Sequence, residues 1–192
     1  MALMHTLDIH RRNTFSIGLI IALASWALVF ITLVWGYVVF RMRTSPANGG
    51  ASVWLGEYLT PAVWSLATLN TAVIALSSLA LHLGLRERTF RSVLFIWTAF
   101  FWGVFFLIGQ TQLWQSIMHQ GLDWHSSIAG SFFFLLTGFH ALHIAGALVA
   151  VFILGVRFQS VEGSSFAIAV KYFWDFLLIV WIVMYGLIFI IQ

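Results

Sequence analysis

Two histidines, His140 and His143, sit three residues apart inside an apolar run long enough to cross a bilayer. An ionisable side chain in hydrocarbon is costly, so such a pair marks a functional site by default. Residues at i and i+3 share a helical face, and both rings are expected to point the same way. Small residues flank the pair, among them Gly138 and Gly146, which lets another helix or a lipid chain come close. Two imidazoles on one face could ligate a metal or haem, move protons, or meet another helix.

The ligand sets are incomplete. A bis-histidine haem takes its axial ligands from two facing helices at similar depth. The only other histidine within a span is His82, near the end of the second run. Zinc or copper would call for three or four ligands, and no Asp or Glu lies near this depth. The plainer reading is a pair of neutral imidazoles, hydrogen-bonded to neighbouring helices or to a partner subunit.

Asp175 is the only carboxylate well inside a span, with Lys171 four residues before it on the same face. The pair is read near the cytoplasmic boundary, where a lysine can snorkel. It suits a proton-conducting carboxylate or, more plainly, an interfacial ion pair. Arg157 ends the fourth run, where a cation anchors the helix, matches its dipole or holds a lipid phosphate. His119, Asp123 and His125 share a short loop and offer at most a weak metal site. Trp54, Trp64, Trp114, Trp124 and Trp174 fall near the expected interfaces, as an aromatic belt would.

The elements that carry these residues follow from composition. Of 192 residues, 61% are hydrophobic and 8% charged. A soluble domain carries about 25% charge, so most of this chain belongs in lipid. Five runs exceed the roughly 20 residues of a spanning helix. They are Phe15–Phe40, Pro61–Leu85, Ser92–Trp114, Ile128–Val156 and Phe166–Ile191. None alternates polar and apolar, which excludes barrel strands. The expectation is one all-α membrane domain over residues 1–192. With no cysteine, disulfides, iron–sulfur clusters and thiolate zinc sites are excluded. The first run is read as a retained helix after a tail holding His5, Asp8, His10, Arg11 and Arg12. The connection after it is turn-rich, with Pro46, Asn48, Gly49 and Gly50.

The net charge of +3 sets topology rather than nucleic-acid binding. Arg11, Arg12, Arg86, Arg88, Arg91, Arg157 and Lys171 fall on one side, against Arg41 and Arg43 on the other. The expected topology has a cytoplasmic N-terminus and the C-terminus outside.

Several motifs resemble subunit III of the haem–copper respiratory oxidases, in its short five-helix bacterial form. Phe139-His140-Ala141-Leu142-His143-Ile144-Ala145-Gly146 is similar to that family's Phe-His-Gly-Leu-His-Val segment and the glycine after it. Arg157 falls where the family has an arginine at the end of the same helix. Leu69-Asn70-Thr71, Leu76-Ser77-Ser78-Leu79 and His82 resemble its preceding helix, and Gly109-Gln110 its Gly-Gln. Phe173-Trp174-Asp175-Phe176 and Ile179-Val180-Trp181 resemble its final Tyr-Trp-His-Phe and Val-Val-Trp. Three family acids are replaced, by Trp26, Leu113 and Leu178, and the motif histidine by Asp175.

The resemblance implies an accessory subunit without haem, copper or any catalytic residue of its own. It implies docking on subunit I beside subunit II and smaller chains, with haem and copper held by those partners. It also implies phospholipid bound between the helices and support for proton uptake, in a bacterial or archaeal inner membrane. His140, His143, Arg157 and Trp174 are the expected lipid-binding or helix-packing residues. Asp175 and Lys171 are the expected proton-surface or ion-pair residues. The alternatives are an accessory protein of nitric oxide reductase and a small histidine-ligated cytochrome. A visible spectrum of the isolated chain separates the last of these: the subunit III reading expects no Soret band, and a band assigned to this chain favours the cytochrome.

Overall fold

The computed structural model describes residues 2–44, 54–86, 90–125, 127–158 and 164–191, with backbone alone for residues 2–13 and Phe90. The side chains of His5, Asp8, His10, Arg11 and Arg12 therefore lie outside the described residues, as do Pro46, Asn48, Gly49, Gly50 and Arg88. Five helices are long and apolar enough to cross a membrane, and the described residues contain no strand. They are α1 (Ala2–Thr44), α2 (Pro61–Arg86), α3 (Phe90–Met118), α4 (Ile128–Val156) and α5 (Ser165–Tyr185). Hydrocarbon offers no hydrogen-bond partner, so each apolar run pairs its backbone internally as a helix.

The starts are written locally. Pro61 occupies the first position of α2, where a missing N–H costs nothing. Ser127 and Ser164 cap α4 and α5, their hydroxyls accepting from the amides of Gly130 at 3.0 Å and Ala167 at 3.3 Å. α1 extends well beyond the apolar run expected at Phe15–Phe40. Its spanning portion is Thr14–Thr44. α5 widens at its end into a π-helical turn, Gly186–Ile190, closed by the Ile191 amide on the Gly186 carbonyl at 2.9 Å.

α2 and α3 form the tightest pair. The Ser77 hydroxyl donates to the Ala99 carbonyl at 2.7 Å, and Asn70 Nδ2 to Gln110 Oε1 at 3.4 Å. Gly109 makes this approach feasible, because a Cβ there would lie 2.2 Å from Asn70 Oδ1. Farther along α3, a Cβ at Gly103 would lie 2.7 Å from Leu148 and 2.8 Å from the Trp174 ring. Small residues at such points let apolar helices meet where no hydrophobic force draws them together.

α1 is the outlier. Almost nothing in its apolar stretch is buried, and its main neighbours are α4 and α5. Phe30 and Tyr37 are its buried anchors. At its far end, Arg41 Nη1 donates to the carbonyls of Leu187, at 3.2 Å, and Ile191. These are terminal carbonyls of α5, which a cation satisfies and whose dipole it matches.

Gly109→Ala should overpack the α2–α3 contact and destabilise the bundle by about 1–3 kcal/mol. A Cβ at Gly146 meets nothing within 4 Å, so Gly146→Ala should leave stability unchanged or slightly raised. Thermal unfolding in mild detergent measures both.

Candidate functional site

His140 and His143 share a helix but divide their surroundings. Three residues advance a helix by about 300°, so the two rings diverge by about 60°. His140 is fully buried among aromatic rings. It stacks on Trp181 of α5 at 5.5 Å and meets Phe106 of α3 and Phe30 of α1 edge-on. Neither of its ring nitrogens has a hydrogen-bond partner among the described residues. The expected bond from His140 to a neighbouring helix is thus replaced by ring contacts. His143 is half-buried and turns toward α1, against Trp26 at 5.5 Å and Phe30 at 5.6 Å. Its Nδ1 bonds its own helix, at the Phe139 carbonyl, 2.7 Å away. Phe30 touches both imidazoles and is the pivot of the cluster. A Cβ at Gly138 or Gly146, the flanking small residues, would meet nothing within 4 Å among the described residues.

Beside this cluster runs a polar seam between α2 and α5. The Thr68 and Tyr185 hydroxyls pair at 2.8 Å. Trp181 Nε1 donates to Thr71 Oγ1 at 3.0 Å, and the Ser78 hydroxyl to Asp175 Oδ1 at 2.9 Å. Across the bundle, Trp114 Nε1 donates to Thr137 Oγ1 at 3.0 Å, tying α3 to α4. Threonine and serine suit this work, since they offer hydroxyls close to the backbone without breaking a membrane helix.

Lys171 Nζ lies 3.4 Å from Asp175 Oδ2, and the side chains are 27% and 30% exposed. The ammonium also lies 5.0 Å from the Tyr172 ring centre. The spanning segment is Ser165–Ile190. Centring it on a hydrocarbon core of about 30 Å at about 1.5 Å per residue puts Asp175 roughly 10 Å inside. Lys171 reaches along its own helix to the carboxylate one turn on.

Trp174, expected in an interfacial belt, is buried in the core instead. The absent side chain of Gly103 makes room for its ring, so its role is filling space between helices. Trp124 is exposed, as a belt residue would be. Arg157 follows α4 as its C-cap, with an exposed side chain. His119, Asp123 and His125 do not form a metal-binding group, and none of three or more such side chains occurs among the described residues. Asp123 instead accepts the His125 amide at 2.8 Å, which closes the loop on itself.

Two lateral grooves run between α1 and α5. One, of about 390 Å³, is lined by Phe15, Leu19, Leu23, Ile168 and Tyr172, with Ser16 and Ser165 as polar elements. The other, of about 340 Å³ and almost wholly apolar, is lined by Phe30, Val34, Trp35, Phe176 and Val183. Sequence reasoning did not locate either groove, because neither comes from one run of residues.

No family model matches the chain. Individual proteins do. A probable cytochrome c oxidase subunit 3 from Nocardia farcinica is 33% identical over 96% of this chain and 92% of its own length. The cytochrome c oxidase subunit 3 of Corynebacterium diphtheriae is 31% identical over 96% of this chain and 91% of its own. The chain belongs to the cytochrome c oxidase subunit 3 family. The likeness reaches mammals: the subunit 3 of Phoca vitulina is 26% identical over 88% of this chain, which covers 66% of the seal protein.

Two of the positions where the resemblance led one to expect acids have a clear physical setting. Leu113 is fully buried in the core, where an ionised carboxylate would need a partner. Trp26 fills the angle between α1, His143 and Phe173, the last at 4.6 Å. Gly109-Gln110 is explained by the Asn70 contact.

Thr71→Val leaves Trp181 Nε1 unpaired. A double-mutant cycle over Thr71 and Trp181 should return a coupling of about 0.6–1.7 kcal/mol, the range of membrane interhelical bonds. Thr32→Val, where an exposed hydroxyl bonds only its own helix, should change detergent unfolding little.

Proposed function

We infer that this chain is the accessory third subunit of a proton-pumping haem–copper terminal oxidase in a bacterial or archaeal cytoplasmic membrane. It holds no cofactor and transfers no electrons. It docks on subunit I, near subunit II, steadies the oxygen-reducing site there, binds phospholipid, and supports proton uptake. The reading is carried by kinship with subunit 3 proteins along 96% of the chain.

The reading sets the N-terminus in the cytoplasm and the C-terminus outside, which the arginine and lysine count across five spans favours. Arg41 counts against that orientation only as a free charge. Its bonds to the last carbonyls of α5 give it a structural reason to lie outside. The grooves between α1 and α5 support the lipid reading, being apolar and open sideways as acyl chains require. The first groove opens near the start of α5, on the same side of the bundle as Arg157. An exposed guanidinium there suits a lipid phosphate, which it engages through two parallel N–H donors. In this reading Asp175, the one carboxylate within the described spanning segments, serves as the ion-pair partner of Lys171.

Arg157→Ala should lower the phospholipid that co-purifies with the complex, as quantified by lipid mass spectrometry. Unchanged lipid content would remove Arg157 from the reading.

A further inference from the structure

We propose that the lateral seam around Ser78, Asp175 and Lys171 is a docking contact for a transmembrane helix of a partner chain that presents a hydrogen-bond donor at that depth. The proposal rests on the oxidase-subunit reading and names a surface within it.

Three observations carry it. Asp175 remains 30% exposed near the middle of the apolar segment Ser165–Ile190, where a charged group faces protein or water rather than acyl chains, and Lys171 beside it is 27% exposed. Lipid headgroups do not reach that depth. Next, the carboxylate is only part-satisfied. It has about four acceptor positions, and Ser78 and Lys171 supply one donor each. A partner hydroxyl, amide or indole N–H completes the set.

The third observation is shape. On α2, Ala75 and His82 lie one turn either side of Ser78 on the same stripe, and both are exposed. On α5, the stripe of Asp175 continues through Leu178 to the half-exposed Ile182. A small residue beside a polar group, framed by aliphatic side chains, is the surface that lets a second helix approach closely. The outward face of α4 is the contrast. Its row of Leu135, Leu142, Val149 and Val156 is exposed and wholly aliphatic, as a lipid-facing surface should be.

The test uses the intact complex in native membranes. A benzophenone amino acid is placed at Ala75 or Ile182 on the seam, and at Leu142 on α4, and irradiated. The proposal expects both seam positions to cross-link to another chain, identified by mass spectrometry, and Leu142 to label lipid alone. It further expects Asp175→Leu to lose the chain from the purified complex, whereas Asp175→Asn, which keeps the Ser78 contact, retains more of it. Seam cross-links to lipid alone, with the chain still co-purifying, would overturn the proposal and leave the oxidase reading standing. The same holds if solvent-accessible probes label the seam in the assembled complex, which would mark a water-filled path. Failure to co-purify with any haem–copper core would overturn the reading itself, and the proposal with it.

Discussion

The bundle depends on the register of α2 against α5. Three side-chain bonds set it, Thr68 with Tyr185, Thr71 with Trp181 and Ser78 with Asp175. From Thr68 to Ser78 the bonds span ten residues of α2, matched by ten residues back along α5 from Tyr185 to Asp175, as antiparallel helices require. In lipid the hydrophobic effect does not choose between registers, because tails and side chains are equally apolar. Hydrogen bonds and close-fitting shapes must choose. Trp181 links the seam to the histidine cluster, since its indole bonds Thr71 and its face stacks on His140. A slip of α5 by one residue would break all three bonds and move the indole off the imidazole.

Around that axis the helices are held by different means. α3 is set by surface fit, through Gly109 against Asn70 and Gly103 against Leu148 and Trp174. α4 is held by one hydrogen bond from Trp114 to Thr137 and by rings around His140. α1 relies on Phe30, on Trp26 against His143 and Phe173, and on Arg41. The decline in buried contact from α2 to α1 leaves the two grooves open along α1.

The five helices were legible in the sequence because span length and apolarity are local properties. The Lys171–Asp175 pair was legible too, since spacing of four on a helix fixes it. Its bond to Ser78 was not, because Ser78 is 97 residues away. The histidine pair was legible as a site but not as two environments. The 60° between the rings decides which helix each one meets, and that needs the neighbours. Trp174 misled for a related reason. Aromatic enrichment at interfaces is a population trend, and only the gap at Gly103 reveals that this ring turns inward. The family motifs carried the remainder: Gly109-Gln110 looked like a signature in the sequence and proves to be a steric requirement.

The Arg41 bond has a consequence for biogenesis. α1 finds its anchors on α4 and on the carbonyls of Leu187 and Ile191. During insertion the Arg41 anchor is therefore completed only some 150 residues later, when the end of α5 has emerged. Until then it must wait in the bilayer on its own apolarity, which its long, almost unburied surface suits it to do. Among the five helices described, α1 is the one whose polar anchor depends on the most distant part of the sequence.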